Sequence, residues 1–290
     1  MVDRAIARSE SRDNSEKPAC CPEEAADQQQ PNRRLALVVE YDGSRYLGFQ
    51  LQAGQPTIQG EIEAALTRFT GENIRVRAAS RTDSGAHAQG QVVDFLTRAS
   101  YPVGSFPRAL NYYLPADIKI QAAYQVALEF HSRRDATSRT YRYYILNRPW
   151  PSPLHRQTHC WIKETLNVEK MAAAAQDLVG SHDFRPLAVG HPEDKSAVRS
   201  VSRWEVWREG DRVIIECEAN AFLRHQIRRA NAILVEIGKG RWPEKIVQGI
   251  LKGGWPEGAV LPSLPGRGLC LIKVTYPDFW SKVIASDETD

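Results

Sequence analysis

The sequence predicts an α+β protein made of two ferredoxin-like (βαββαβ) halves, their mainly antiparallel sheets side by side with a basic cleft between them. Three observations predict it. Between residues 34 and 126, strand-like alternation and helix-like spacing follow in the order β-α-β-β-α-β. From residue 138 the same order begins again, with one extra helix. The charge is also unevenly placed: residues 1–32 carry a net −3 and residues 281–290 a net −2, which leaves +8 on the body between them. A basic body predicts an anionic partner, and nucleic acid is the commonest large one.

The elements follow in order. Residues 1–32 have few apolar side chains and a polar run at Gln28-Gln29-Gln30-Pro31-Asn32, which predicts a disordered tail. The N-terminal α+β half, 33–137, opens with a strand over 34–41. A glycine-containing loop then leads to Thr57, a helix N-cap by residue type. Ile58, Ile62, Leu66 and Phe69 recur at helical spacing, and Gly71 stops the helix. Strands over 73–79 and 91–97, a helix from Pro107 to Tyr113 and a strand over 117–126 complete this half. The C-terminal half, 138–280, starts with an alternating strand. Its Arg142 shares a face with Thr140 and Tyr144, while Arg139, Tyr141, Tyr143 and Ile145 share the other. Expected next are a strand over 157–162, a helix over 168–179 ended by Gly180, and strands over 198–207 and 212–219 joined at Glu209-Gly210. Helices over 222–238 and 243–251 and a strand over 268–276 follow. An acidic tail, 281–290, ends the chain.

Between two predicted strands lies Ala79-Ser80-Arg81-Thr82-Asp83-Ser84-Gly85-Ala86-His87-Ala88, too elaborate for a simple hairpin turn. The pattern leaves two readings of Asp83 open: an acid that caps its own turn, or a reacting carboxylate presented by strands. A second marker lies in the 222–238 helix, which is apolar around most of its circumference and so predicted to be largely buried. A buried Arg228 would need an anionic partner; the alternative is that Arg224, Arg228 and Arg229 are solvated or touch phosphates.

Several chemistries lack their sequence marks. No phosphate-cradling glycine motif, HExxH or GxSxG occurs. His155 and His159 are four apart but in a proline-flanked, strand-like stretch without a carboxylate partner, so no metal is expected there. His87 is expected to do structural work. The five cysteines are scattered without a CxxC pair, which suits a reducing cytoplasm. No apolar signal segment or membrane-length run is present.

The motifs taken together resemble one family. Arg81-Thr82-Asp83-Ser84-Gly85-Ala86-His87-Ala88 resembles the RTDxGVHA signature of the TruA family of tRNA pseudouridine synthases. Tyr41-Asp42-Gly43-Ser44 with Gly48-Phe49-Gln50, Arg139-Thr140-Tyr141-Arg142-Tyr143, Phe222-Leu223-Arg224-His225-Gln226-Ile227-Arg228, and Gly268-Leu269-Cys270-Leu271 with Tyr276-Pro277 resemble its other motifs, in the family's order. Ala86 stands for the usual valine, Gln226 for methionine, and Asn231-Ala232 for Val-Gly.

The resemblance implies a cytoplasmic isomerase that converts uridine to pseudouridine at positions 38, 39 and 40 of the tRNA anticodon arm. It implies no metal, no cofactor and no membrane, and a homodimer with tRNA across both subunits. Asp83 is similar to the family's nucleophile, Tyr141 to the tyrosine that stacks on the base and aids proton transfer, and Arg228 to the arginine paired with the carboxylate. Leu269 resembles the residue lining the uracil pocket, and Arg81 the one that keeps the base flipped out. Arg45, Arg139 and Arg142 are expected to contact the RNA backbone.

Overall fold

The structure is a computed structural model that describes residues 32–253 and 261–276. The tail expected over 1–32, apart from Asn32, and the acidic tail over 281–290 lie outside the described residues. The protein is a mixed α+β fold around one large, mostly antiparallel sheet.

Strand β1 (Arg33–Tyr41) is the spine of the first part. Leu35, Leu37, Val39 and Tyr41 recur at the strand period of two and are all buried. Antiparallel ladders join β1 to β3 (His87–Thr97) and β4 (Ile118–Val126). Helix α1 (Ile58–Thr70) forms as its sequence predicts. The Thr57 side chain accepts from Gly60 N–H, Ile58, Ile62 and Leu66 face the core, and Gly71 ends the helix in the left-handed region. Helix α2 (Ser105–Tyr113) adds Phe106 and Leu110 to the same core.

The expected strand over 73–79 shrinks to β2 (Arg77–Ala78), which pairs with β3. The reason is a competing set of partners. Val76 N–H donates to Glu63 of α1, and Gln59 of α1 donates to the Val76 carbonyl, so this backbone is satisfied without a ladder.

The second part begins with β5 (Ser138–Asn147) and the three-residue β6 (Cys160–Ile162). The expected strand over 157–162 starts late because Thr158 and His159 both donate their N–H to the His155 carbonyl, closing a turn. Helix α3 (Val168–Ala175) tightens into a 3-10 turn at Gln176–Leu178. Gly180 then opens β7 (Gly180–Asp183), an edge strand the sequence did not predict. Strands β8 (Val198–Glu209) and β9 (Arg212–Ala219) turn at Gly210-Asp211, one residue later than expected. Helices α4 (Gln226–Gly238) and α5 (Ile246–Leu251) and strand β10 (Leu269–Thr275) complete the order.

Two corrections bear on the site. The sheets expected side by side are one continuous sheet, in the order β4-β1-β3-β10-β5-β9-β8-β7. Its seam is a parallel pairing of β10 with β3, Cys270 opposite His87 and Leu271 opposite Ala88. The helix expected from residue 222 begins only at Gln226, because His225 sits in the left-handed region at φ 63°. Phe222 to His225 form a turn, stapled where the Gln226 side chain accepts from Leu223 N–H.

A buried ionic knot ties β1, β2 and β3 together. Asp94 is fully buried. It accepts from Arg34 Nη1 at 2.6 Å, from Arg77 Nε at 3.0 Å and from Ser132 N–H at 2.9 Å. Removing it would leave a buried arginine without its anion. Asp94→Ala is therefore expected to lower unfolding stability in urea by about 3–5 kcal/mol; a loss under about 1 kcal/mol would contradict this account of the knot.

Candidate active site

The loop 79–86 joins β2 to β3, and it is held at nearly every residue. Gln91, on β3 and fully buried, donates to the Ser80 carbonyl at 2.7 Å and accepts from Ser80 N–H at 3.3 Å. Arg139 on β5 donates to the Ala79 carbonyl. The Tyr41 hydroxyl meets Thr82 Oγ1 at 2.8 Å, and the Thr82 carbonyl accepts from Phe49 N–H. Ala86 N–H closes a turn onto the Asp83 carbonyl.

Two glycines let backbone press against this loop. A Cβ on Gly43 would lie 1.9 Å from the Ala86 carbonyl oxygen, and one on Gly266 would lie 2.1 Å from that of Ser84. No other residue fits at either place. The loop is thus clasped from the turn after β1 and from the segment before β10.

Its carboxylate finds the partner that helix burial required. Arg228, in the first turn of α4, donates from Nη1 to Asp83 Oδ2 at 2.9 Å. Its Nε donates to the Leu264 carbonyl at 2.6 Å, which fixes the plane of the guanidinium. The Asp83 and Arg228 side chains are only 20% and 16% exposed, so the pair is largely shielded from water. His225 stands beside them, Nε2 at 3.3 Å from Arg228 Nη1 and 3.7 Å from Asp83 Oδ2. Burial is the largest influence on its imidazole and lowers its pKa. The Asp83 carboxylate opposes that effect, and the Arg228 cation adds to it.

A cavity of about 970 Å³ opens at this pair, lined also by Ser80, Arg81, Tyr141, Phe222 and Leu269. Tyr141 projects from β5 with its hydroxyl 2.7 Å from Ser80 Oγ and its ring edge-on to Phe222 at 5.5 Å. Burial pushes its phenol pKa well above the ordinary value; the Ser80 hydrogen bond works against this and the Asp83 carboxylate with it. Leu269 begins β10 and is buried. Arg81 is exposed at the cavity and has no hydrogen bond or ion pair among the described residues.

Of the other expected RNA contacts, Arg139 borders the cavity and Arg142 and Arg45 fall elsewhere. Arg139 is buried, and its guanidinium donates to the carbonyls of Ala79, Arg133, Ala136 and Asn220. Those bonds leave it tying the loop to β5 instead of free for a phosphate. Arg142 lies on the opposite face of β5, donating to Glu216 at 2.6 Å and packing over Trp207. Arg45 is exposed and paired with Asp117 at 3.1 Å. Neither lines the cavity. The reading of residue types missed Ser80, Gln91, Phe222 and His225 as parts of the site. A left-handed histidine leaves no mark in sequence, and a buried glutamine bridging backbone leaves none either.

His87 is buried, with Nε2 between the carbonyls of Gln157 and Arg267. The His155 and His159 rings meet at a tilt of 45°, centroids 4.6 Å apart. Among the described residues no group of three histidine, cysteine or carboxylate side chains could hold a metal, and no helix is long and apolar enough to cross a membrane.

Comparison with known proteins names the class to which these features belong. The model of the tRNA pseudouridine synthase family matches residues 37–135 and 174–277. The tRNA pseudouridine synthase A of Moorella thermoacetica is 42% identical over 244 residues, which span 83% of this chain and 99% of that protein. Its namesake in Roseiflexus castenholzii is 40% identical over 251 residues, 85% of this chain and 92% of that protein. That of Pseudoalteromonas atlantica is 41% identical over 245 residues, 84% and 93%. The chain belongs to the tRNA pseudouridine synthase family.

His159 gives a pH test of the packing beside the site. Burial, with His155 and Arg212 adding to it, lowers its pKa from 6.5 to about 4. The unfolded chain then takes up this proton first, so stability falls as pH drops from about 6.5 to about 4 and this contribution levels off below. Urea titrations across that range should show His159→Gln losing less stability than the parent; equal losses would contradict the assignment.

Proposed function

We propose that the chain isomerises uridine to pseudouridine in the anticodon stem-loop of tRNAs, at positions 38, 39 and 40. The observation that carries this reading is the Asp83–Arg228 ion pair at 2.9 Å, at the wall of the cavity that Tyr141 also lines. A carboxylate gripped by a guanidinium that is itself fixed by the Leu264 carbonyl keeps one place and orientation, which a nucleophile requires. In the proposed reaction the Asp83 carboxylate attacks ribose C1′ or uracil C6, and the N1–C1′ bond breaks. The uracil turns and C5 bonds to C1′; the bond from Asp83 breaks, at C1′ as C5 displaces it or at C6 afterwards, which frees the carboxylate, and the C5 proton leaves with help from Tyr141. The reaction runs on side chains alone.

Tyr141 also offers its ring as a stacking surface, and Leu269 an apolar wall for the uracil. A uridine within a stem must leave the stack first, at a cost of a few kcal/mol. Arg81, exposed and unpaired among the described residues, is suited to hold the flipped state. Arg133 and Arg224 are exposed at the same cavity, and with the net +8 of residues 33–280 they support a basic cleft for the RNA backbone.

The same reading divides the chain into halves over 33–137 and 138–280, each ferredoxin-like, between an N-terminal tail and an acidic C-terminal tail. The strand orders β4-β1-β3-β2 and β10-β5-β9-β8 are the same permutation, which supports it. A cytoplasmic homodimer with tRNA across both subunits completes the proposal.

The test is tritium release from C5-labelled uridine in tRNA, together with mapping of pseudouridine in RNA from a strain lacking the protein. Asp83→Asn is expected to abolish release, and the strain to lack pseudouridine at the three positions. Near-normal release by Asp83→Asn would remove the nucleophile from the proposal, and unchanged modification in the strain would remove the substrate.

A further inference from the structure

A tyrosine that takes a proton from carbon must first have somewhere to send its own. Tyr141 is buried, and among the described residues its hydroxyl has one hydrogen-bond partner, Ser80 Oγ at 2.7 Å. Ser80 is the better placed because its neighbours are anchored. Gln91 holds both its N–H and its carbonyl, Arg139 holds Ala79 before it, and Tyr41 holds the Thr82 side chain beyond it. The serine hydroxyl therefore stands on a fixed backbone with one free rotor. It also lines the cavity, where water can reach it.

We propose that Ser80 is a positioning residue for the isomerisation, accepting the Tyr141 proton and handing its own to a cavity water as Tyr141 takes the C5 proton. The step balances. The C5–H bond breaks and its electron pair stays in the uracil ring. The proton joins Tyr141 Oη, the proton formerly on Oη joins Ser80 Oγ, and the one formerly on Oγ leaves to water. No carboxylate is drawn into the transfer, so Asp83 stays free for its own bond. Burial makes an isolated phenolate costly at Tyr141. Concerted transfer through Ser80 avoids forming one.

This rests on the proposed function, and the experiment separates the two. Tritium release at saturating tRNA is measured for the parent, Ser80→Ala, Ser80→Thr, Tyr141→Phe and the Ser80→Ala/Tyr141→Phe double variant. Rates are taken per active site titrated by tRNA binding, so that loss of folded protein is not read as loss of rate. Ser80→Ala is expected to lower kcat about tenfold to a hundredfold with KM within about twofold. Ser80→Thr should keep most of the rate. In the Tyr141→Phe background, Ser80→Ala should change kcat by less than about twofold, since the hydroxyl it serves is already gone. The proposal is overturned if Ser80→Ala matches the parent, or if it costs the same factor in both backgrounds. No release by the parent itself would instead overturn the function on which it rests.

Discussion

Asp83 and Arg228 lie 145 residues apart in the chain and meet in an ion pair at 2.9 Å. Both are part-buried, and removing one leaves the other's charge with less compensation. The rest of the site can be read as the support this pair needs. The arginine is held in plane by the Leu264 carbonyl. The loop that carries the aspartate is gripped by Gln91, Arg139 and Tyr41, and pressed from both sides where Gly43 and Gly266 permit backbone to approach. The result is a carboxylate whose place is set before any substrate arrives, the condition under which a fixed charge is most effective.

The sheet explains how distant segments reach one loop. Strand β10 is inserted between β3 and β5, and it meets β3 only at Cys270 and Leu271. The contact is short because β2 takes another stretch of the same edge, at Asp94 and Val93. That division leaves the chain before β10 free to lie across the loop, bringing Gly266 against Ser84 and Leu269 into the cavity. Tyr141 arrives from β5 on the other side of β10. Because β5 alternates, Arg142 next to it faces away and is spent on Glu216.

Much of this was legible in the chain. Helix α1 could be read with both its caps, since Thr57 and Gly71 act locally. The alternation of β5 placed Tyr141 and Arg142 on opposite faces correctly. The apolar circumference of the 222–238 stretch pointed to an arginine in want of an anion, although the helix starts four residues later than its pattern suggests. What could not be read depends on competition between partners. Whether the backbone at Val76 joins a ladder is decided by Glu63 and Gln59, and whether 157–159 is strand is decided by the His155 carbonyl. The arginines followed the same rule. Arg139 looks like Arg81 in sequence, yet one is consumed by four carbonyls and the other is open to the cavity.

Single-turnover pseudouridine formation by Arg228→Gln tests whether Arg228 holds the Asp83 carboxylate in its reacting position. The expected rate is at least about a hundredfold below the parent, with tRNA binding changed only a few-fold, because the lost interaction acts on the carboxylate and not on the RNA backbone. A rate near that of the parent, or a loss wholly explained by weaker binding, would contradict it.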